Sequence, residues 1–281
     1  MAADGERQAR VDDITIDLLS RPAVLDHMRE ALSGQRAPLV LMSANLDHVH
    51  HFATRHRLPT GRHHGVDFVT LLDGRPVARA VRRHGQGAPA EVVPGSELLE
   101  PALESAAENG SRVVLVGAGE RTRERWQTDL PQRFPGIAGP ETFAVPWGDY
   151  DAPGGSAALA DRVAATRPDL VVVSLGKPRQ ELWLRDHAAD LGCRLALAFG
   201  SAADYVVGTQ TRPPAFIRRH GLEWLVRLAR EPRRLGPRYL FQGPPALRVV
   251  RRDLRVHERV GGEPTPADDH GRDVRPTPRS S

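Results

Sequence analysis

Between residues 14 and 208 the chain alternates two kinds of hydrophobic pattern. Stretches with apolar positions three or four apart predict helices at 14–32, 47–56, 76–84, 97–108, 120–134, 157–166 and 179–191. Between them lie short continuous apolar runs at 38–42, 66–72, 112–116, 169–175 and 194–199, the pattern of strands buried on both faces. This alternation predicts an α/β fold with a Rossmann-like, mostly parallel sheet flanked by helices. Open sheets of this kind bind ligands at the carboxyl ends of their strands, so the residues just after each run are the candidates for chemistry.

After Gly208 the pattern changes. Residues 212–230 keep helical spacing but are strongly basic, and Pro232, Pro237, Pro244 and Pro245 divide the next stretch into short helices, because proline cannot continue a helix interior. Beyond Gly261 almost no apolar residue remains, as in a disordered tail. The expected organisation is a core at 1–210, a basic helical C-terminal appendage at 211–260 and a tail at 261–281.

Composition narrows this picture. A chain of 281 residues, 40% hydrophobic and 26% charged, is long enough to build its own core. The single cysteine, Cys193, excludes an internal disulfide framework and points to a reducing cytoplasm. No apolar run approaches the roughly 20 residues of a membrane-spanning helix, and the acidic start at 1–6 predicts no signal peptide. The net charge of +4 conceals an asymmetry: residues 212–259 hold 13 arginines against Glu223, Glu231, Asp253 and Glu258. A basic segment on a slightly acidic body suggests an anionic partner, whether phosphate groups, an anionic membrane face or nucleic acid; the alternative is a solvated arginine-rich helix face. Of the 39 basic residues only Lys177 is a lysine. Base composition accounts for the arginine bias, but not for where the one lysine stands.

Four strand ends carry distinctive residues. The first run leads into Ser43, Asn45, Asp47 and His48, where Ser43 or Asn45 can cap a helix or offer a hydroxyl and an amide to a ligand. The second leads into Asp73-Gly74, a carboxylate beside a flexible glycine, with a helix cap as the alternative. The third leads into Gly117-Ala118-Gly119, suited to close backbone approach by a phosphate at a helix start. Thr122 stands where a dinucleotide fingerprint needs its third glycine, which argues against a nicotinamide enzyme. The fourth leads into Gly176-Lys177-Pro178-Arg179-Gln180-Glu181, and Gly200-Ser201-Ala202-Ala203-Asp204 follows the next strand. His48, His50, His51, His56, His63 and His64 crowd one region, but their spacing matches no metal motif and no metal is expected. The absence of a Gly-x-Ser-x-Gly elbow and of a Walker loop removes serine hydrolase and P-loop chemistry.

Taken together, Ser43-Ala44-Asn45-Leu46-Asp47-His48, Asp73-Gly74, the 176–181 segment, Gly200 to Tyr205, Arg212-Pro213-Pro214 and the ordered run from Gly221 through Trp224, Arg227, Glu231 and Pro232 to Arg234 resemble the WecG/TagA/CpsF family, glycosyltransferase family 26. The similarity covers about 11–247. It implies an inverting, metal-independent transfer of a sugar from a UDP-sugar, often UDP-N-acetylmannosamine, to a polyprenyl-diphosphate-linked sugar at the cytoplasmic membrane face, in cell-wall or exopolysaccharide synthesis. The resemblance implies Asp73 as general base, aided by Ser43 and Gln180. The substrate-binding set is Asn45, Gly117, Gly119, Gly176, Lys177, Arg179, Glu181, Gly200, Asp204, Arg212, Arg227 and Arg234, with Arg227 and Arg234, and similarly Arg212, holding the diphosphate. No cofactor beyond the UDP-sugar co-substrate and no nucleic-acid partner is implied, and the oligomeric state stays open. The chain departs from the family at Lys177, where a small residue is usual, at Ser43 for threonine, at Gly236-Pro237-Arg238-Tyr239, and in its histidine-rich 48–64. These departures leave a soluble natural-product or nucleoside acceptor as an alternative. A non-catalytic nucleotide or nucleic-acid binding module is the alternative from a different class.

Overall fold

The structure is a computed structural model that describes residues 7–53, 56–84, 91–214, 216–217, 223–230, 233, 236 and 241–258. The amino end forms a hairpin, β1 (Arg7–Val11) and β2 (Ile14–Asp17), followed by α1 (Arg21–Leu32), β3 (Leu39–Ala44) and α2 (Leu46–Phe52). Next come β4 (Gly61–His63), β5 (Val66–Leu72), α3 (Arg75–His84), a 3-10 turn (Gly95–Glu97), α4 (Leu99–Glu108), β6 (Arg112–Gly117), α5 (Glu120–Arg133) and β7 (Ala138–Phe143). The chain continues through α6 (Trp147–Asp151), α7 (Gly155–Ala165), β8 (Leu170–Ser174), α8 (Arg179–His187), β9 (Leu195–Leu197), α9 (Ala202–Val206), α10 (Glu223–Arg230), α11 (Gly243–Asp253) and β10 (Leu254–Glu258).

All ten strands join one sheet in the order β10-β1-β2-β5-β3-β9-β8-β6-β7, with β4 pairing β5. The seven from β2 to β7 run parallel, while β1 pairs antiparallel with both β2 and β10, and β4 pairs antiparallel with β5. This is the expected α/β fold, a mostly parallel sheet flanked by helices, and all five expected strands lie in it. Each central strand is buried on both faces because successive side chains point to opposite sides. Val113 and Leu115 of β6 pack with α1, α4 and α5, whereas Val114 and Val116 pack with α7 and α8. Trp126 and Trp183 are the largest side chains buried on these two sides, each contributing about 1.5–3 kcal/mol by leaving water.

One helix expectation is corrected. The segment 14–32 is not one helix: β2 occupies Ile14–Asp17 and α1 starts only at Arg21. Ile14 and Ile16 are inward residues two apart, a strand period. Ser20, whose hydroxyl accepts from the Ala23 amide at 3.4 Å, and Pro22 in the first turn mark the true helix start. β4 and β7 escaped the pattern because they have few buried residues. At the other end, β10 pairs with β1 and α11 packs on α2 and α3, so 243–258 lie against the sheet's amino-terminal edge.

Candidate active site

The parallel strands end on one rim, and the chain folds the distinctive residues onto it. At β5 and β3, Ala44 is opposite Leu72 and the Asp73 amide donates to the Ala44 carbonyl at 3.0 Å. Gly74 follows with φ +90°, and a Cβ there would come within 3.2 Å of Asn45 Cβ. Only glycine suits that left-handed backbone so close to a neighbour. Half-buried Asp73 is thereby held beside Asn45 at the mouth of the sheet. Asn45 caps α2, its side-chain oxygen accepting from the His48 amide at 3.1 Å. Helix capping is therefore one use of this residue.

At the end of β6, Gly117 has φ +85°, and a Cβ there would lie 2.7 Å from the Ser174 carbonyl oxygen. The tight turn brings Gly119 to the start of α5, a 14-residue helix with no side-chain cap at its exposed first turn. Such a terminus favours anions. Thr122, which breaks the dinucleotide pattern, donates its hydroxyl to Asp204 at 2.7 Å and so ties α5 to α9. Asp204 thus has a partner on the scaffold.

The densest cluster forms where β3, α2 and α8 meet. Lys177, with its side chain 10% exposed, directs Nζ at Glu181 Oε1 (2.6 Å), the Ser43 carbonyl (2.9 Å) and His48 Nδ1 (3.3 Å). Glu181 is wholly buried and Gln180 nearly so. The Gln180 amide donates to the Ala198 carbonyl at 2.7 Å and to Glu181 Oε1 at 3.1 Å. Its own Oε1 has no hydrogen-bond partner, and a Cβ added at Gly200 would stand 3.3 Å from that oxygen. Ser43, also buried, closes the cluster from β3. His48 stacks on Phe52 at 4.5 Å between ring centroids, and its pKa is held well below the usual 6.5 by burial, then by the Lys177 charge and His51. The lysine takes the Nδ1 lone pair, so the proton sits on Nε2, which is buried with no hydrogen-bond partner among the described residues; His48 lines a cavity of about 10 Å³ with Thr15 and Thr70.

Gly176 is exposed at the turn into α8. Arg179 points away from the Lys177 cluster: it pairs with Asp151 at 3.1 Å and lies 4.4 Å over the half-exposed Trp147 ring. Arg212 donates to the Ser96 carbonyl and covers Tyr205. Ser96 belongs to a segment crossing the ends of β5 and β9, because Val93 bonds the Leu72 carbonyl and Gly95 abuts Phe199. Arg212 is therefore at the rim. Arg227 is carried by α10, and Arg234 lies outside the described residues, as does the expected tail at 261–281. Rim order accordingly runs Asp73, Ser43 and Asn45, Gly200, Gly176, Gly117 and Gly119 along adjacent strands. His48 was not in the expected set although it ends the Asn45-Leu46-Asp47-His48 motif, the signal that could have placed it. Trp147 had no comparable signal. Among the described residues no group of three or more His, Cys, Asp and Glu side chains is arranged to hold a metal ion.

A doubly wound sheet, with polar side chains and helix starts gathered at its strand carboxyl ends, defines this molecule as an α/β protein whose candidate ligand site is that rim. The sequence matches the model of the glycosyl transferase WecG/TagA/CpsF family over residues 9–260, and the chain belongs to that family of glycosyltransferases. It is 27% identical over 252 residues to an N-acetylglucosaminyldiphosphoundecaprenol N-acetyl-beta-D-mannosaminyltransferase of Staphylococcus aureus strain MRSA252, a match spanning 87% of this chain and 96% of that one. The proteins of the same name from strains MW2 and NCTC 8325 match to the same extent.

Proposed function

We propose that this chain moves a sugar, an N-acetylhexosamine, from a UDP-sugar to a hydroxyl of a polyprenyl-diphosphate-linked sugar, with inversion and without a metal. The observation that carries the reading is the placement of Asp73 beside Asn45 at the mouth of the sheet, with buried Ser43 and Gln180 on the neighbouring strand ends. In that arrangement the Asp73 carboxylate takes the proton of the acceptor hydroxyl as its oxygen attacks the anomeric carbon and the bond to the diphosphate breaks. The uncapped start of α5 and the arginines Arg212, Arg227 and Arg234 are assigned to the charge that develops on the leaving UDP. Relatives named for transfer of N-acetylmannosamine to N-acetylglucosaminyldiphosphoundecaprenol support the choice of acceptor.

The basic segment at 211–260 is assigned to phosphate at the membrane face. Among the described residues, Phe216, Leu225 and Phe241 are exposed apolar side chains in that segment, set among its arginines. This combination suits an interfacial surface on anionic lipid. No helix among the described residues is long and apolar enough to cross a membrane.

The test is UDP release with product mass, using UDP-N-acetylmannosamine and other UDP-sugars against prenyl-diphosphate N-acetylglucosamine and soluble acceptors, with and without EDTA. The expected product is a β-linked disaccharide on the lipid, formed equally well in EDTA. Turnover only on soluble acceptors overturns the lipid assignment, loss in EDTA overturns the metal-independent one, and UDP binding without turnover of any pair leaves a binding module.

A further inference from the structure

The chain's one lysine has a side chain only 10% exposed, and its ammonium group is turned into the protein. Lys177 Nζ has three directions to donate in, and Glu181 Oε1 at 2.6 Å, the Ser43 carbonyl at 2.9 Å and His48 Nδ1 at 3.3 Å occupy all three. A cation so engaged has no donor left for a diphosphate. The same Glu181 oxygen that meets Lys177 accepts from Gln180 Nε2 at 3.1 Å, while the Ala198 carbonyl holds that amide at 2.7 Å from the other side. Two acceptors on the nitrogen fix the sense of the amide and turn Oε1 toward Gly200, where it is buried with no hydrogen-bond partner among the described residues. A buried carboxyl group keeps such an arrangement only while its own charge is compensated.

Resting on the transferase reading above, we infer that Lys177 is a positioning residue: the internal counter-ion of Glu181, which through Glu181 locks the Gln180 amide in one sense beside Gly200, and which ties α8 to the end of β3. The cluster reads as a chain of contacts from the Ser43 carbonyl through Lys177 and Glu181 to Gln180. It spans the β3 and β8 strand ends, so the lysine sets the distance between them as well as the amide's sense.

The experiment is a double-mutant cycle on the full chain with Lys177→Met, Glu181→Gln and the two combined. Each single variant removes one charge and strands the other; the combined variant removes both and keeps an amide oxygen for Gln180 Nε2. The expected result is a fall in kcat of at least about ten-fold (~1.4 kcal/mol) for each single variant. Donor KM and the UDP dissociation constant, by calorimetry, should change by less than about three-fold (~0.65 kcal/mol), and the combined variant should recover most of kcat. A second, activity-independent readout is the 15N spectrum of the His48 ring, which should report the Nε2–H tautomer in the wild type and lose that bias in Lys177→Met. Weakened UDP binding in step with lost turnover, a combined variant no better than the singles, or an unaltered Lys177→Met overturns the inference. Absence of transfer by the wild-type chain itself would count against the transferase reading instead, and the His48 spectrum still decides the role of Lys177.

Discussion

At the residue scale the rim separates side chains paired on the scaffold from a buried polar atom that has no partner. Asn45 caps a helix, Asp204 is held by Thr122, and Arg179 lies on Trp147, whereas Gln180 Oε1 is buried with no hydrogen-bond partner among the described residues. Asp73→Asn keeps the shape and removes the proposed base. Turnover should fall by about 10²–10⁴-fold while UDP binding by calorimetry stays within about two-fold; near-normal product formation would remove Asp73 from its role. His48 carries a prediction about pH. Its folded-state pKa lies well below 6.5, so the unfolded chain takes up this proton first as pH falls. The stability that neutral His48 contributes is complete above about 6.5 and declines below it, at up to about 1.4 kcal/mol per pH unit, until the folded pKa is reached. Urea unfolding at pH 7.5 and 5.5 should show a larger loss for the wild type than for His48→Gln, and equal losses would refute the assignment.

At the scale of elements, α2 and α3 hold the site's first wall, since α2 starts just after its cap Asn45 and α3 just after Gly74. Both are backed by α11, whose Ala246 and Val250 are buried with Val49, Phe52, Val77 and Val81. The last helix, with β10 on β1, therefore braces the Asp73 side of the rim from behind. Val250→Ala should cost about 1–3 kcal/mol of stability by urea unfolding, although Val250 lies in the basic appendage expected from sequence. A cost near zero would show that this packing contributes little. The five central strands were legible because both their faces are apolar, and the helices between them because their periods were clear. The strands β1, β2, β4, β7 and β10 were not, since at a sheet edge or in a short hairpin the pattern is mixed and pairing with a distant segment decides the conformation.

At the scale of the whole molecule the charge is divided: the 13 arginines of 212–259 face an otherwise slightly acidic chain. If this segment meets a membrane, co-sedimentation with phosphatidylglycerol-containing vesicles should weaken as salt rises and the charges are screened. Phe241→Ser and Arg251→Glu should each weaken binding at low salt by about five-fold or more, as about 1 kcal/mol per anchor requires. Binding indifferent to salt and to both variants would assign the segment elsewhere.

The sequence alone determined the α/β alternation, the strand ends that carry polar residues and the family of the chain, because periodicity and motif order are local properties. It located Lys177 in the 176–181 motif and placed it in the substrate-binding set, without showing which way its side chain turns. Only the tertiary structure decided that Lys177 turns inward to Glu181, the Ser43 carbonyl and His48, residues up to 134 positions apart that only the sheet order brings together. The same holds for Thr122 on Asp204 and for β10 on β1. A side chain's direction depends on what packs around it, and packing partners distant in sequence have no local signature.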